Sequence, residues 1–186
     1  MLSKLCYWIA RSLGWTLVDQ LPQEKHYVLV GYPHTSNWDF ILAMLFKFAR
    51  GVPFNWVAKH TLFIWPFGGL MRALGGLGID RTRSQGFTAE LADAFKRRPE
   101  MAVVIAPEGT RAYTPYWRSG FYHLALAAEV PVVLSYVCYQ SKRIGFGPTL
   151  YLSGDQDADL ANIQAFYADK VGLHPEKAGK ICFRPR

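Results

Sequence analysis

Two runs of this chain leave almost no room for a wet surface. "MAVVIAPEGT" (Met101 to Thr110) opens on an unbroken apolar stretch, and "VPVVLSYVCY" (Val130 to Tyr139) is apolar almost throughout. A strand with one solvated face alternates polar and apolar residues, whereas a continuous apolar strand needs cover on both faces. "HYVLVGYP" (His26 to Pro33) has the same character and is closed by Gly and Pro, and "FNWVAK" (Phe54 to Lys59) and "GPTLYLSG" are further strands. Between them lie helical stretches: "NWDFILAMLFKFAR" ended by Gly51, "GFTAELADAFKRR", "GFYHLALAAE" and "DADLANIQAFYADKV" (Asp157 to Val171). "PFGGLMRALGG" reads as a short helical piece from Pro66 to Gly75-Gly76, and "GIDRTR" (Gly78 to Arg83) as a short strand or turn. The alternation predicts an α/β fold in a single domain, a mostly parallel mixed sheet covered by helices. The 186 residues suit one domain with a real core, and no repeat, low-complexity segment or linker divides them.

Hydrophobic residues make up 51% of the chain and aromatics 15%, more than such a domain buries, which points to an apolar binding surface or membrane contact. The net charge of +7 favours anionic partners, such as lipid headgroups, phosphates or an acidic carrier protein. Nucleic acid is not expected as a partner, because no binding signature and no dense Lys/Arg stripe is present. Cys6, Cys138 and Cys182 are too far apart for a metal or redox motif and read as reduced thiols of a cytoplasmic protein. Residues 1–20 read as an amphipathic helical segment ahead of the domain formed by 21–186. Leu2, Leu5, Ile9 and Leu13 share one side, with Trp8 and Trp15 near its edges. Lys4 and Arg11 break it into pieces too short to span a bilayer. Such a helix either lies in a membrane interface or packs on its own domain.

In open α/β sheets ligands bind beyond the carboxyl ends of the strands. His34, Glu108 and Arg111 all follow such ends, so separate polar loops would meet on one rim. His34 and Asp39 stand in "HTSNWD". A histidine can take a proton from a hydroxyl near neutral pH and does so better when a carboxylate holds its other ring nitrogen. The same stretch also reads as a turn with a helix cap, Asn37 as N-cap and Asp39 in the first turn. No third ligand of suitable spacing follows for a metal, and no nucleophile elbow surrounds Ser36. In "APEGTRA" Gly109 lets backbone approach a ligand, Thr110 and Arg111 suit a phosphate, and Glu108 would hold Arg111 or another cation. A plain strand-to-loop turn with a local salt bridge is the alternative. In "LGGLGIDRTRS" a glycine-rich turn precedes Asp80 and Arg81, without a dinucleotide-binding pattern.

Taken in order, these stretches resemble the glycerophospholipid acyltransferase family, the enzymes that acylate lysophosphatidic acid and related acceptors. "HTSNWD" is similar to the family's first motif, "GGLGIDR" to the second, "PEGTR" almost verbatim to the third and "VPVV" to the fourth, and the likeness runs from about Val28 to Val137. Pro33, Gly78 and Leu134 depart from the usual residues: asparagine before the histidine, Phe in the second motif and proline closing the fourth. The resemblance implies a glycerol-3-phosphate acyltransferase-like fold and an O-acyl transfer from acyl-CoA or acyl carrier protein to a lysolipid hydroxyl, with no metal or cofactor. His34 and Asp39 would be the catalytic pair. Arg81, Glu108, Gly109, Thr110, Arg111 and Lys59 would bind the acceptor, and the protein would sit on the inner face of the cell membrane, against anionic lipids. Another acceptor, such as a lyso-ornithine lipid or lysophospholipid, or a non-catalytic membrane lipid-binding module, is the competing expectation.

Overall fold

The computed structural model describes residues 1–18, 20–79 and 84–185. Its elements run α1 (Leu2–Ser12), β1 (Thr16–Val18), β2 (His26–Gly31), α2 (Trp38–Arg50), β3 (Phe54–Lys59), a 3-10 turn (His60–Phe63), α3 (Gly68–Ala73) and β4 (Gly76–Ile79). They continue as α4 (Ser84–Arg97), β5 (Met101–Ile105), α5 (Gly120–Ala128), β6 (Val132–Cys138), β7 (Arg143–Leu150), α6 (Gln156–Tyr167) and a 3-10 turn (Pro175–Lys177). Among the described residues seven strands form one sheet in the order β1-β7-β6-β2-β5-β3-β4. The block from β6 to β4 is parallel, and β7 runs antiparallel to β6 with β1 parallel to β7. The expected mostly parallel mixed sheet is therefore present.

The apolar runs have the cause expected of them. Val28, Val30, Val103, Val132 and Leu134 point into a core shared with α4, α5 and α6. Their neighbours Tyr27, Leu29, Ala102 and Val133 point the other way, into a core built with α1, α2 and the 3-10 turn at Phe63. Along the middle of these strands side chains on both faces are buried, so no alternation survives.

Several boundaries differ from the sequence reading. The apolar helix at the start stops at Ser12, and Thr16–Val18 adds an edge strand beside Arg143–Gly145. β7 begins at Arg143, ahead of the expected Gly147, because pairing with β6 rather than local apolarity defines it. α6 starts at Gln156, and Asp155 caps it by accepting from the amides of Asp157 at 3.1 Å and Ala158 at 3.2 Å. Asn37 does precede α2, but its backbone is already helical and its side chain makes no capping bond. α1 packs on the domain with Cys6 and Ala10 buried, and the Ser3 hydroxyl donates to Ala49 O at 2.7 Å. Its other face, Leu2, Leu5, Trp8, Ile9 and Leu13, remains exposed.

Gly78 has a packing reason. A Cβ there would lie 2.9 Å from Cδ2 of Phe63, whose buried ring lies against β4. The ring from the preceding turn fills the space that a larger side chain at 78 would need.

Candidate active site

Because β2, β5 and β3 are parallel neighbours, the loops after them open on the same edge of the sheet. A cavity of about 630 Å³ lies there. His34 comes to it from the β2 loop, Lys59 from the end of β3, and Gly109, Thr110 and Arg111 from the β5 loop. Val57, Leu91, Ile105, Phe121 and Leu124 line it with apolar surface. Of the three residues expected to converge, His34 and Arg111 line the cavity, together with Lys59, Gly109 and Thr110, and Glu108 is not among its lining residues, while Arg81 lies outside the described residues.

His34 and Asp39 meet. Nδ1 of the imidazole lies 3.3 Å from Oδ2 of Asp39, which is buried, while the histidine side chain keeps a quarter of its surface exposed. The same Oδ2 accepts from the amides of Thr35 and Ser36, each at 2.9 Å, and Oδ1 accepts from the Tyr139 hydroxyl at 2.8 Å. Asp39 thus caps its own turn by reaching back along the chain, the part assigned beforehand to Asn37. Burial pushes the Asp39 carboxyl up, but bonds from His34, the Ser36 amide and Tyr139, with the charge of His34, outweigh it and leave the group below its ordinary value. With Nδ1 held by a carboxylate, Nε2 is the ring nitrogen left for a hydroxyl.

Glu108 behaves otherwise than expected. It is buried, and its oxygens accept from backbone amides: Oε2 from His34 at 2.8 Å and Oε1 from Gly179 at 3.0 Å. The partners are therefore main-chain donors from the loop after β2 and from the C-terminal segment, in place of Arg111 or another cation. Burial lifts its pKa above the ordinary value, against the two amide bonds and the nearby His34.

Gly109 sits at φ +65°, and its amide donates to Ala106 O at 3.0 Å to close a tight turn. A Cβ there would fall 2.7 Å from Nε of Arg118. Arg118 lines the cavity beside Arg111, with its amide donating to Pro107 O at 2.8 Å. Neither Arg118 nor Tyr139 is among the site residues read from the sequence, where Tyr139 reads as a core or interface residue. Arg118 stands in "YWRSG", just before α5, where the only signal is a basic residue near a helix start.

The chain matches the family model described as Acyltransferase over residues 12–137. It belongs to that acyltransferase family. A 1-acyl-sn-glycerol-3-phosphate acyltransferase of Escherichia coli (strain K12) is 34% identical over 118 residues, 60% of this chain and 46% of that protein. The chain thus spans about half the length of this curated relative. Among solved structures, the 1-acyl-sn-glycerophosphate (LPA) acyltransferase PlsC from Thermotoga maritima superposes with a TM-score of 0.59 at 14% identity, over 88% of this chain and 74% of that one. That likeness is one of fold. The region of this chain that matches the family contains both loops that carry His34, Asp39 and the PEGTR stretch.

Proposed function

We propose that this acyltransferase moves a fatty acyl group from acyl-CoA or acyl carrier protein to the hydroxyl of a lysophosphatidic acid-like lysolipid, in phospholipid synthesis. The observation that carries the reading is the His34–Asp39 pair, 3.3 Å apart, at the rim of a cavity that also presents Lys59, Arg111 and Arg118. Nε2 of His34 takes the proton from the acceptor hydroxyl as its oxygen attacks the thioester carbonyl. A C–O bond forms, the C–S bond breaks, and His34 returns the proton to the departing thiolate. Asp39, ionised at neutral pH, stabilises the imidazolium formed on the way. The cations suit an anionic headgroup, and the apolar wall of Val57, Leu91, Ile105, Phe121 and Leu124 suits an alkyl chain.

Peripheral attachment to the inner face of the cell membrane is part of the proposal. Among the described residues no helix is long and apolar enough to cross a membrane. The sheet face carrying α1, α2 and α3 supports surface contact, because Leu2, Leu5, Trp8, Trp38, Ile64, Trp65, Phe67 and Leu70 are all exposed on it. Interfacial tryptophans and a basic chain favour an anionic bilayer.

The test offers the purified protein a panel of lysolipids with each donor and reads product masses. A new diacyl product from lysophosphatidic acid supports the reading. Acylation of an uncharged-headgroup acceptor in preference to it would overturn the assignment of the cations.

A further inference from the structure

Tyr139 follows β6 directly and is partly buried. Its position is fixed from two sides. The ring meets Trp15 edge-on, centroids 5.1 Å apart at 87°, and its amide donates to Val171 O at 2.8 Å. Trp15 is itself buried in the core beneath α1. The phenol is thus a rigid donor, 2.8 Å from Oδ1 of Asp39, one hundred residues away in sequence.

The two carboxylate oxygens of Asp39 have separate tasks. Oδ2 accepts from two amides and faces Nδ1 of His34, while Oδ1 accepts from Tyr139. A carboxylate held at one oxygen alone can turn about its Cβ–Cγ bond, and a turn here would carry Oδ2 away from the imidazole. We propose that Tyr139 is a positioning residue of the dyad, whose hydroxyl fixes Asp39 so that Oδ2 stays turned toward His34. It acts through Asp39 and touches no substrate. Burial and the charge of Asp39 hold the phenol proton in place, well above its usual range, so Tyr139 stays a donor throughout the working pH range. The titratable groups facing Asp39 are His34, Tyr139 and Glu108. The inference rests on the acyl-transfer reading for its kinetics, while its structural half can be read without turnover.

The test is Tyr139→Phe, which keeps the ring against Trp15 and removes only the donor. Two readouts are taken. In the first, the ring protons of His34, assigned by their loss in His34→Ala, are titrated by NMR. Without the phenol Asp39 is free to turn, the imidazolium loses the support of Oδ2, and the midpoint moves to lower pH. In the second, thiol release is followed against pH with donor and lysolipid each varied up to saturation. A hydrogen bond to a charged group is worth enough for kcat to fall by roughly tenfold or more, with both KM values kept and the acidic limb displaced downward. An unmoved NMR midpoint overturns the proposal whether or not the protein turns over. A fall in kcat with an unmoved limb and a lowered Tm does the same, because that is a packing role only. Wild-type protein without turnover on any lysolipid would count against the acyl-transfer reading and leave the NMR result to decide Tyr139.

Discussion

Oε2 of Glu108 accepts a hydrogen bond from the backbone amide of His34 at 2.8 Å, across 74 residues of sequence. The buried carboxylate of one motif therefore holds the loop of the other, and its second oxygen ties in Gly179 at 3.0 Å. The C-terminal segment is fastened there again by the Tyr32 hydroxyl on Gly179 O at 3.0 Å and by the Trp117 amide on Cys182 O at 2.8 Å.

Glu108→Gln should loosen this junction. The amide nitrogen of glutamine cannot accept, so one of the two main-chain donors loses its partner, at a cost of about 1–3 kcal/mol. Because burial raises the Glu108 pKa in the fold, its contribution to stability is greatest below its unfolded value and is lost as pH rises through the folded one. Glutamine does not titrate, so the gap in Tm between wild type and variant should narrow from acid toward pH 8. Thermal unfolding across that range checks it, and a gap that widens with pH would contradict the assigned sign.

Gly109→Ala should disturb the cavity from within the tight turn. The residue sits at φ +65°, and the added carbon would lie 2.7 Å from Arg118 Nε. Backbone strain of about 1–3 kcal/mol is expected, together with displacement of Arg118. The acceptor KM should rise more than the donor KM. Steady-state kinetics with each substrate varied in turn would show it.

The sheet was legible because its central strands are buried on both faces, and that leaves a local signature in the composition of each run. The His34–Asp39 pair was legible because both residues lie within one turn. What Glu108 does was not, because its partners are main-chain amides brought in from other segments, and an amide carries no residue identity to read. Arg118 and Tyr139 were hidden for a related reason. One is aimed by the turn at Gly109, and the other by Trp15 at the opposite end of the chain. β1 escaped notice because the apolar pattern of α1 continues into it without a break.

The exposed aromatics after β3 give a separate prediction. Trp65 is 91% exposed and Phe67 66%, although Phe63 beside them is buried and Arg72 donates to Phe63 O at 3.0 Å to hold the turn. Removing both rings in Trp65→Ser with Phe67→Ser should weaken binding to phosphatidylglycerol-containing vesicles by on the order of tenfold or more, since each ring buries substantial apolar surface. Co-sedimentation measures this directly. Unchanged binding would remove this segment from the membrane-facing surface.

The most direct measurement is thiol release from an acyl thioester in the presence of lysophosphatidic acid, comparing wild type with His34→Ala at matched folding. The expected result is lysolipid-dependent release by the wild type and a loss on the order of 10²-fold or more in the variant, with its circular dichroism and Tm unchanged. Wild-type release rates in a folded His34→Ala protein would contradict the assignment of His34 as the general base.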